Sequence, residues 1–215
     1  ERNPLPFITG TICPHHCGDK CMRNYYEETL HIRETKLAAA SQAYNEILPA
    51  LKADGSVAGK KVAIIGGGPA GLAAATFLSR AGVAVTVFER KEQLGGVVRN
   101  VIPEFRISAD SIDKDVELCK AYGADFKLGA EVTSVKALKA EGYTDVIHVP
   151  INRSGSSTYN NAVMAQGMLR EERPEHHLNI HLLDPHTYSM VFGWYLCEMA
   201  RKLQNGAELR HVISE

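Results

Sequence analysis

The chain has 215 residues with 24 Lys and Arg against 25 Asp and Glu, a formal net charge of −1 at pH 7. That balance offers no basic footprint for nucleic acid, and no run of about 18 apolar residues is present to form a membrane-spanning helix. The length suits one domain or two small ones with a real core. The chain begins ERNPLPF, with neither an initiator Met nor a basic-then-apolar signal region, so it reads as an excised beginning.

Residues 1–26 read as loop, rich in Pro, Gly, His and Cys, and a helix is expected from about Glu27 to Leu51, ended by the breaker-rich ADGS. KKVAIIGGG then reads as an apolar strand running into glycines. A small-residue helix from Pro69 to Arg80 and a second strand, VAVTVFER, follow. After Gly95 and Gly96 comes a loop carrying NVIPEFRIS. The next helix spans about Ser108 to Tyr122, with Ser108 as its cap and Gly123 just past its end. Short strands are expected at DFKLG and TDVIHVPI, then a helix from Tyr159 to Glu172, a strand at LNIHLLD and a helix from Met190 to Gln204. Strand–helix alternation of this kind predicts an α/β sheet, mostly parallel.

The first strand–helix–strand carries the chain's most informative pattern. Gly66, Gly68 and Gly71 stand in G-x-G-x-x-G spacing. The first permits a tight turn, the second lets a pyrophosphate approach the backbone, and the third allows helix and strand to pack closely. The helix N-terminus adds unpaired N–H groups and a partial positive charge for phosphate. Glu89 closes the second strand, 18 residues beyond Gly71. A carboxylate there accepts hydrogen bonds from ribose hydroxyls and repels a 2′-phosphate. The set predicts a Rossmann-type unit holding the ADP half of a dinucleotide, and the residues alone leave FAD and NAD open.

Five cysteines are present, and Cys13, Cys17 and Cys21 are clustered in C-x3-C-x3-C spacing while Cys119 and Cys197 stand alone in expected helices. An odd count with a tight cluster argues for metal chemistry in a reducing compartment, hence a cytoplasmic protein, rather than a disulfide framework. Thiolates suit zinc or iron–sulfur clusters. His15 and His16 are available as further zinc ligands, and three reduced thiols on a loop are the plain alternative.

Taken together, GGGPAGLAAATFLSRAGVAVTVFER, LGGVVRNVIPEFRI and the N-terminal NPLPFITGTICPHHCGDKCMRNYYEETLHIRETKLAA are similar to the iron–sulfur and FAD oxidoreductase family. That family includes the glutamate synthase small subunit, dihydropyrimidine dehydrogenase and a branch named for selenate reductase. The resemblance implies that FAD sits on the fingerprint, with Gly66, Gly68, Pro69, Ala70, Gly71, Glu89, Arg90, Gly95 and Gly96 as cofactor-binding residues. It implies that Cys13 and Cys17 ligate one [4Fe–4S] cluster and Cys21 another, the remaining ligands coming from upstream cysteines. Lys36 falls near a place where relatives carry a Gln or Glu ligand. Arg106 matches a motif position without an assignable role. No general acid, base or nucleophile is discernible, and an electron-transfer module passing electrons from NAD(P)H through flavin requires none.

From about residue 144 the pattern changes. A complete family member continues from TDVI into an NAD(P)H-binding domain with its own glycine fingerprint. Here the sequence reads HVPINRSGSSTYNNAVMAQGML, then LNIHLLDPHTYSM, which resembles the DegV family of fatty-acid-binding proteins. That resemblance implies that Ser156 binds a fatty-acid carboxylate. The hydroxyl cluster Ser154, Ser156, Ser157 and Thr158 at a helix start also suits a phosphate or plain helix capping. The expected organisation is therefore a partial iron–sulfur segment and linker helix (1–58), a partial FAD-binding Rossmann domain (59–143) and a DegV-like α/β fragment (144–215). The expected functions are an oxidoreductase fragment, a lipid-carboxylate-binding protein, or an inactive chimera of the two.

Overall fold

The computed structural model describes residues 3–55, 59, 61–133, 145–148, 157–172, 179–182, 198–199, 201–202 and 205–207. Five parallel strands form one sheet in the order β3-β2-β1-β4-β5. They are β1 (Lys61–Ile65), β2 (Ala84–Phe88), β3 (Asp125–Lys127), β4 (Asp145–His148) and β5 (Asn179–Leu182). The order places β1 at the point where the chain reverses direction across the sheet, which is where open α/β sheets form their ligand crevices. β1 and β2 run in register from Lys61 opposite Ala84 to Ile65 opposite Phe88.

Helix α4 (Pro69–Arg80) is the hinge of the core. One face carries Ala75 onto the sheet, where it meets Ile64, Val85 and Val87 with Cys119 and Ala124. Leu72 and Ala73 join a second cluster with Leu5, Ile8, Leu94, Val98, Ile107, Ile112 and Val116. Each large aliphatic side chain buried in this way contributes about 1.5–3 kcal/mol. Ala75 lets α4 sit close to the strands, while Leu72 and Ala73 reach Ile112 and Val116 of α6 (Ala109–Ala121). The expected cap of α6 is present, with the Ser108 hydroxyl accepting from the Ser111 amide. Cys119 is a core residue, and burial pushes its thiol up to about 11.

Two expectations for the N-terminal segment are corrected. The supposed loop of residues 1–26 contains helix α1 (Pro6–Ile12), the short helix α2 (His16–Asp19) and a 3-10 turn, Met22–Tyr25. The following helix, α3, runs only from Ile32 to Ile47, ending in a 3-10 turn at Leu48–Ala50. Its expected first turn is diverted elsewhere: the Thr29 hydroxyl donates to the Gly18 carbonyl at 3.2 Å, tying that residue to the cysteine loop. Pro49 at the other end lacks an N–H and cannot continue the α-helical ladder.

Asp115 of α6 explains how α1 exists at all. Its side chain is fully buried and accepts from the amides of Phe7, at 3.1 Å, and Ile8, at 2.7 Å. These are two of the donors that a helix start leaves unpaired. Burial, outweighing the two amides, pushes the Asp115 carboxyl up to about 7. The Phe7 ring meets Tyr44 of α3 edge-on at 5.3 Å, and the Tyr44 hydroxyl donates to Glu117. No residue of α3 is buried.

The C-terminal elements follow expectation where they are described. α7 (Thr158–Glu172) precedes β5, and the Gln166 amide donates to the Ile180 carbonyl at 2.6 Å. Most of the helix expected from Met190 to Gln204 lies outside the described residues, as do Cys197, Ser154 and Ser156. No helix among the described residues is long and apolar enough to cross a membrane.

Candidate functional site

The glycine turn is built as the spacing predicts. Gly66 leaves β1 with φ +103°, a conformation that side-chain-bearing residues rarely adopt. Its amide still donates to the Phe88 carbonyl at 2.8 Å, so the turn is anchored to the neighbouring strand. Gly71 is held to glycine by packing instead: a Cβ there would lie 1.9 Å from the Gly66 carbonyl oxygen. Helix α4 can start this close to β1 only because that atom is missing.

Gly68 occupies the N-cap of α4, and no side chain caps the helix. Pro69 takes the first helical position, where its missing N–H costs nothing. The amides of Ala70 and Gly71 then have no intrahelical acceptor, since the first such bond runs from Leu72 to Gly68 at 2.9 Å. A Cβ added to Gly68 would meet only the Gly96 Cα, at 3.8 Å. Two unspent donors, the positive end of a helix and an uncrowded approach suit a diphosphate.

Glu89 turns toward this site. It is 7 % exposed; one carboxylate oxygen accepts from the Gly67 amide at 2.7 Å and the other from the Lys91 amide at 2.9 Å. Each oxygen keeps a second acceptor direction, so the group can still receive ribose hydroxyls. The carboxylate is fixed in place rather than free to swing. Arg90, next in sequence, is exposed. Gly95 and Gly96 pass beside the turn, and the Gly95 amide donates to the Gly67 carbonyl at 2.8 Å.

Gly67 was overlooked in the spacing argument, yet it receives contacts from both sides. A Cβ there would lie 2.3 Å from Leu94 Cδ2 and 3.2 Å from the Glu89 carboxylate. The one clue in the sequence was a third consecutive glycine beyond what G-x-G-x-x-G requires.

The cysteine loop is a different kind of place. Cys13 follows α1, Cys17 is exposed within α2, and Cys21 starts the 3-10 turn. Among the described residues no three His, Cys, Asp or Glu side chains come together to hold a metal. The His15 Nε2 lies 3.3 Å from the Leu30 carbonyl and the His16 Nδ1 3.5 Å from the Asp19 carboxylate, so each ring has one nitrogen in a local contact. The loop is organised around the Gly18 carbonyl, which accepts from Asn24 at 2.7 Å, Thr29 and the Cys21 amide. The Leu30 amide above all, then the Arg23 amide and the Thr29 hydroxyl, hold the Cys21 thiol below its ordinary range. Donors of this kind favour thiolate, the form in which cysteine ligates metals. Lys36 is exposed on α3, and Arg106 is exposed on the loop before α6.

Comparison with known proteins agrees with a chain of two parts. The family model for an NAD(P)-binding Rossmann-like domain matches residues 64–110, and that described as "Uncharacterised protein, DegV family" matches residues 129–215. The chain is 44 % identical over 149 residues to the oxidoreductase YgfK of Escherichia coli (strain K12), covering 68 % of this chain and 14 % of that protein. It is 34 % identical over 142 residues to the glutamate synthase [NADPH] small chain of Mycobacterium tuberculosis (strain CDC 1551 / Oshkosh), covering 65 % and 29 %. To the oxidoreductase AegA of Escherichia coli (strain K12) it is 33 % identical over 183 residues, covering 81 % and 26 %. The chain thus spans less than a third of these relatives' lengths. Among solved structures, that of Thermovibrio ammonificans THI4 matches with a TM-score of 0.41 and 16 % identity, covering 82 % of this chain and all of that one. The chain thus matches an NAD(P)-binding Rossmann-like model over residues 64–110 and the DegV model over residues 129–215, and it is similar in sequence to the YgfK, AegA and glutamate synthase small-chain oxidoreductases.

Proposed function

We propose that residues 59–143 are part of an FAD-binding domain and that the chain is a fragment of a cytoplasmic, FAD- and [4Fe–4S]-dependent NAD(P)H oxidoreductase. The observation that carries this reading is the Glu89 carboxylate, held by the Gly67 and Lys91 amides beside an uncapped helix start. Ala70 and Gly71 would donate to the diphosphate, Glu89 would accept the ribose hydroxyls, and Gly95–Gly96 would bring backbone alongside the cofactor. Arg90 would flank the adenosine. When bound, FAD supplies the electron-carrying chemistry; the chain's own part is to bind, orient and exclude a 2′-phosphate. Mixing the purified chain with FAD at micromolar concentrations and recording the flavin spectrum tests this, with NAD⁺ and NADP⁺ as competitors. Retained flavin that neither nicotinamide displaces is the expected result, and absence of bound flavin overturns it.

In the same reading, residues 1–58 form part of an iron–sulfur segment. Cys13, Cys17 and Cys21 supply some ligands to two [4Fe–4S] clusters, and residues outside this chain supply the rest. The amides around Cys21 support this assignment by favouring its thiolate.

A second reading rests on the DegV match over residues 129–215. In it, residues 144–215 hold a fatty acid, with Ser156 on the carboxylate. Native mass spectrometry of the purified chain checks it, since a co-purified acyl chain is expected in this reading alone.

A further inference from the structure

Arg99, on the short helix α5 (Val97–Asn100), is set unusually deep for an arginine, its side chain only 12 % exposed. Its Nε donates to the Leu94 carbonyl at 2.5 Å, and its terminal nitrogen pairs with the Asp113 carboxylate of α6. The guanidinium therefore straps the start of one loop to a helix of the core. That loop, Leu94–Gly95–Gly96, arches over the glycine turn. Leu94 fills the space where Gly67 would carry a side chain. The Gly95 amide bonds the Gly67 carbonyl, and a Cβ on Gly96 would lie 2.8 Å from the Gly68 Cα.

The arch needs such a strap. Gly95 and Gly96 stand at φ +115° and +52°, so two adjacent glycines, the residues with most backbone freedom to lose, must be held in one conformation. Gly67 is gripped on both sides, its amide by Glu89 and its carbonyl by Gly95. If the arch loosens, the second grip is lost and the peptide planes leading to Gly68 and the helix start are free to rotate.

We propose that Arg99 is a positioning residue for dinucleotide binding: it acts by clamping the Leu94–Gly96 arch against the Gly67–Gly68 turn. The inference deepens the FAD reading and rests on it for the identity of the ligand. Arginine is suited to the task because its planar fork reaches a carbonyl and a carboxylate at once and stays charged at any working pH. Lysine, a point charge, holds one of the two at a time.

The test uses the whole 215-residue chain, with FAD titrated by flavin fluorescence and backbone amide exchange followed over residues 91–100. Arg99→Met is expected to weaken FAD binding by about tenfold and Arg99→Lys by about threefold, the scale of losing charge-assisted hydrogen bonds. The Gly95 amide should exchange faster in Arg99→Met while amides of β1 and β2 stay protected, which a general loss of stability would not produce. Asp113→Asn removes the far anchor from an exposed position and serves if Arg99→Met does not fold; it should weaken FAD binding about twofold to threefold. A wild-type chain that takes up no FAD overturns the flavin reading itself, and the clamp is then judged by Gly95 exchange alone. Unchanged FAD affinity in a folded Arg99→Met, or unchanged Gly95 protection, overturns the role of Arg99.

Discussion

The glycine turn and the cysteine loop lie in the same half of the chain and bear opposite marks of construction. The turn is over-determined: Gly66 is held to glycine by its positive φ, Gly67 by Leu94 and Glu89 and Gly71 by the Gly66 carbonyl, and its carboxylate is buried and doubly bonded. The loop is pinned to the core at one end, through Asp115 and α1, and beyond that its cysteines and α3 sit at or near the surface. Met22, Tyr25 and Tyr26 around it are more than 70 % exposed. A site whose parts all lie within 30 residues can be completed by local packing. A site sharing its ligands with distant sequence, as proposed for the cysteines, would be left open by the same physics.

The sharpest break in this contrast comes from Gly71→Ala. A Cβ 1.9 Å from a backbone carbonyl cannot be relieved by a side-chain rotation, so α4 must shift from β1. We expect a loss of more than about 3 kcal/mol, the upper end for overpacking, and no FAD uptake, read by denaturant melting and flavin titration. Next is Asp115→Ala, which leaves the Phe7 and Ile8 amides buried and unpaired. A cost of about 2–4 kcal/mol is expected, with exchange of those two amides rising before that of the strands. An α1 that stays protected in this variant would show that hydrophobic burial alone docks the cysteine segment.

Asp115 also gives the contrast a pH dependence. Its folded-state carboxyl titrates at about 7, above the ordinary 3.8, so between those values the folded chain binds more protons than the unfolded one. The contribution is fully present below about pH 4 and is lost as the pH rises through 7. Melting followed from pH 4 to 8 should therefore show a component that falls with rising pH and is absent in Asp115→Asn. A smaller effect is expected from Glu89→Gln. The amide keeps one acceptor for the Gly67 and Lys91 donors and removes the charge, so discrimination against a 2′-phosphorylated nucleotide should relax by about tenfold. Competition between ADP and 2′-phospho-ADP measures it. Smallest of all is Cys17→Ser, which should leave both melting temperature and FAD affinity unchanged. A drop in either would mean that the two regions are coupled.

Much of the Rossmann unit was legible because its determinants are near one another. The G-x-G-x-x-G spacing, the small residues of α4 and the acidic end of β2 each announce their place, and Ser108 caps α6 as read. α1 was not legible, because its helix start is satisfied by a carboxylate more than 100 residues away. The shortening of α3 had a similar origin: Thr29 bonds backward to Gly18, a choice that local propensity does not encode. Leu94 and Arg99 lie within the LGGVVRNVIPEFRI segment, whose pattern gives neither a role; their importance lies in what they touch. Ser156 lies outside the described residues, so the DegV-like reading still rests on sequence.

The sheet itself carries one more consequence. Strand β4 pairs with β5 from Asp145 opposite Asn179 to His148 opposite Leu182, yet among the described residues it meets β1 through a single register pair, Ala63 with Val146. Among the described residues, the register between β1 and β4 is thus the shortest in the sheet, with β1, β2 and β3 on one side of it and β4 and β5 on the other.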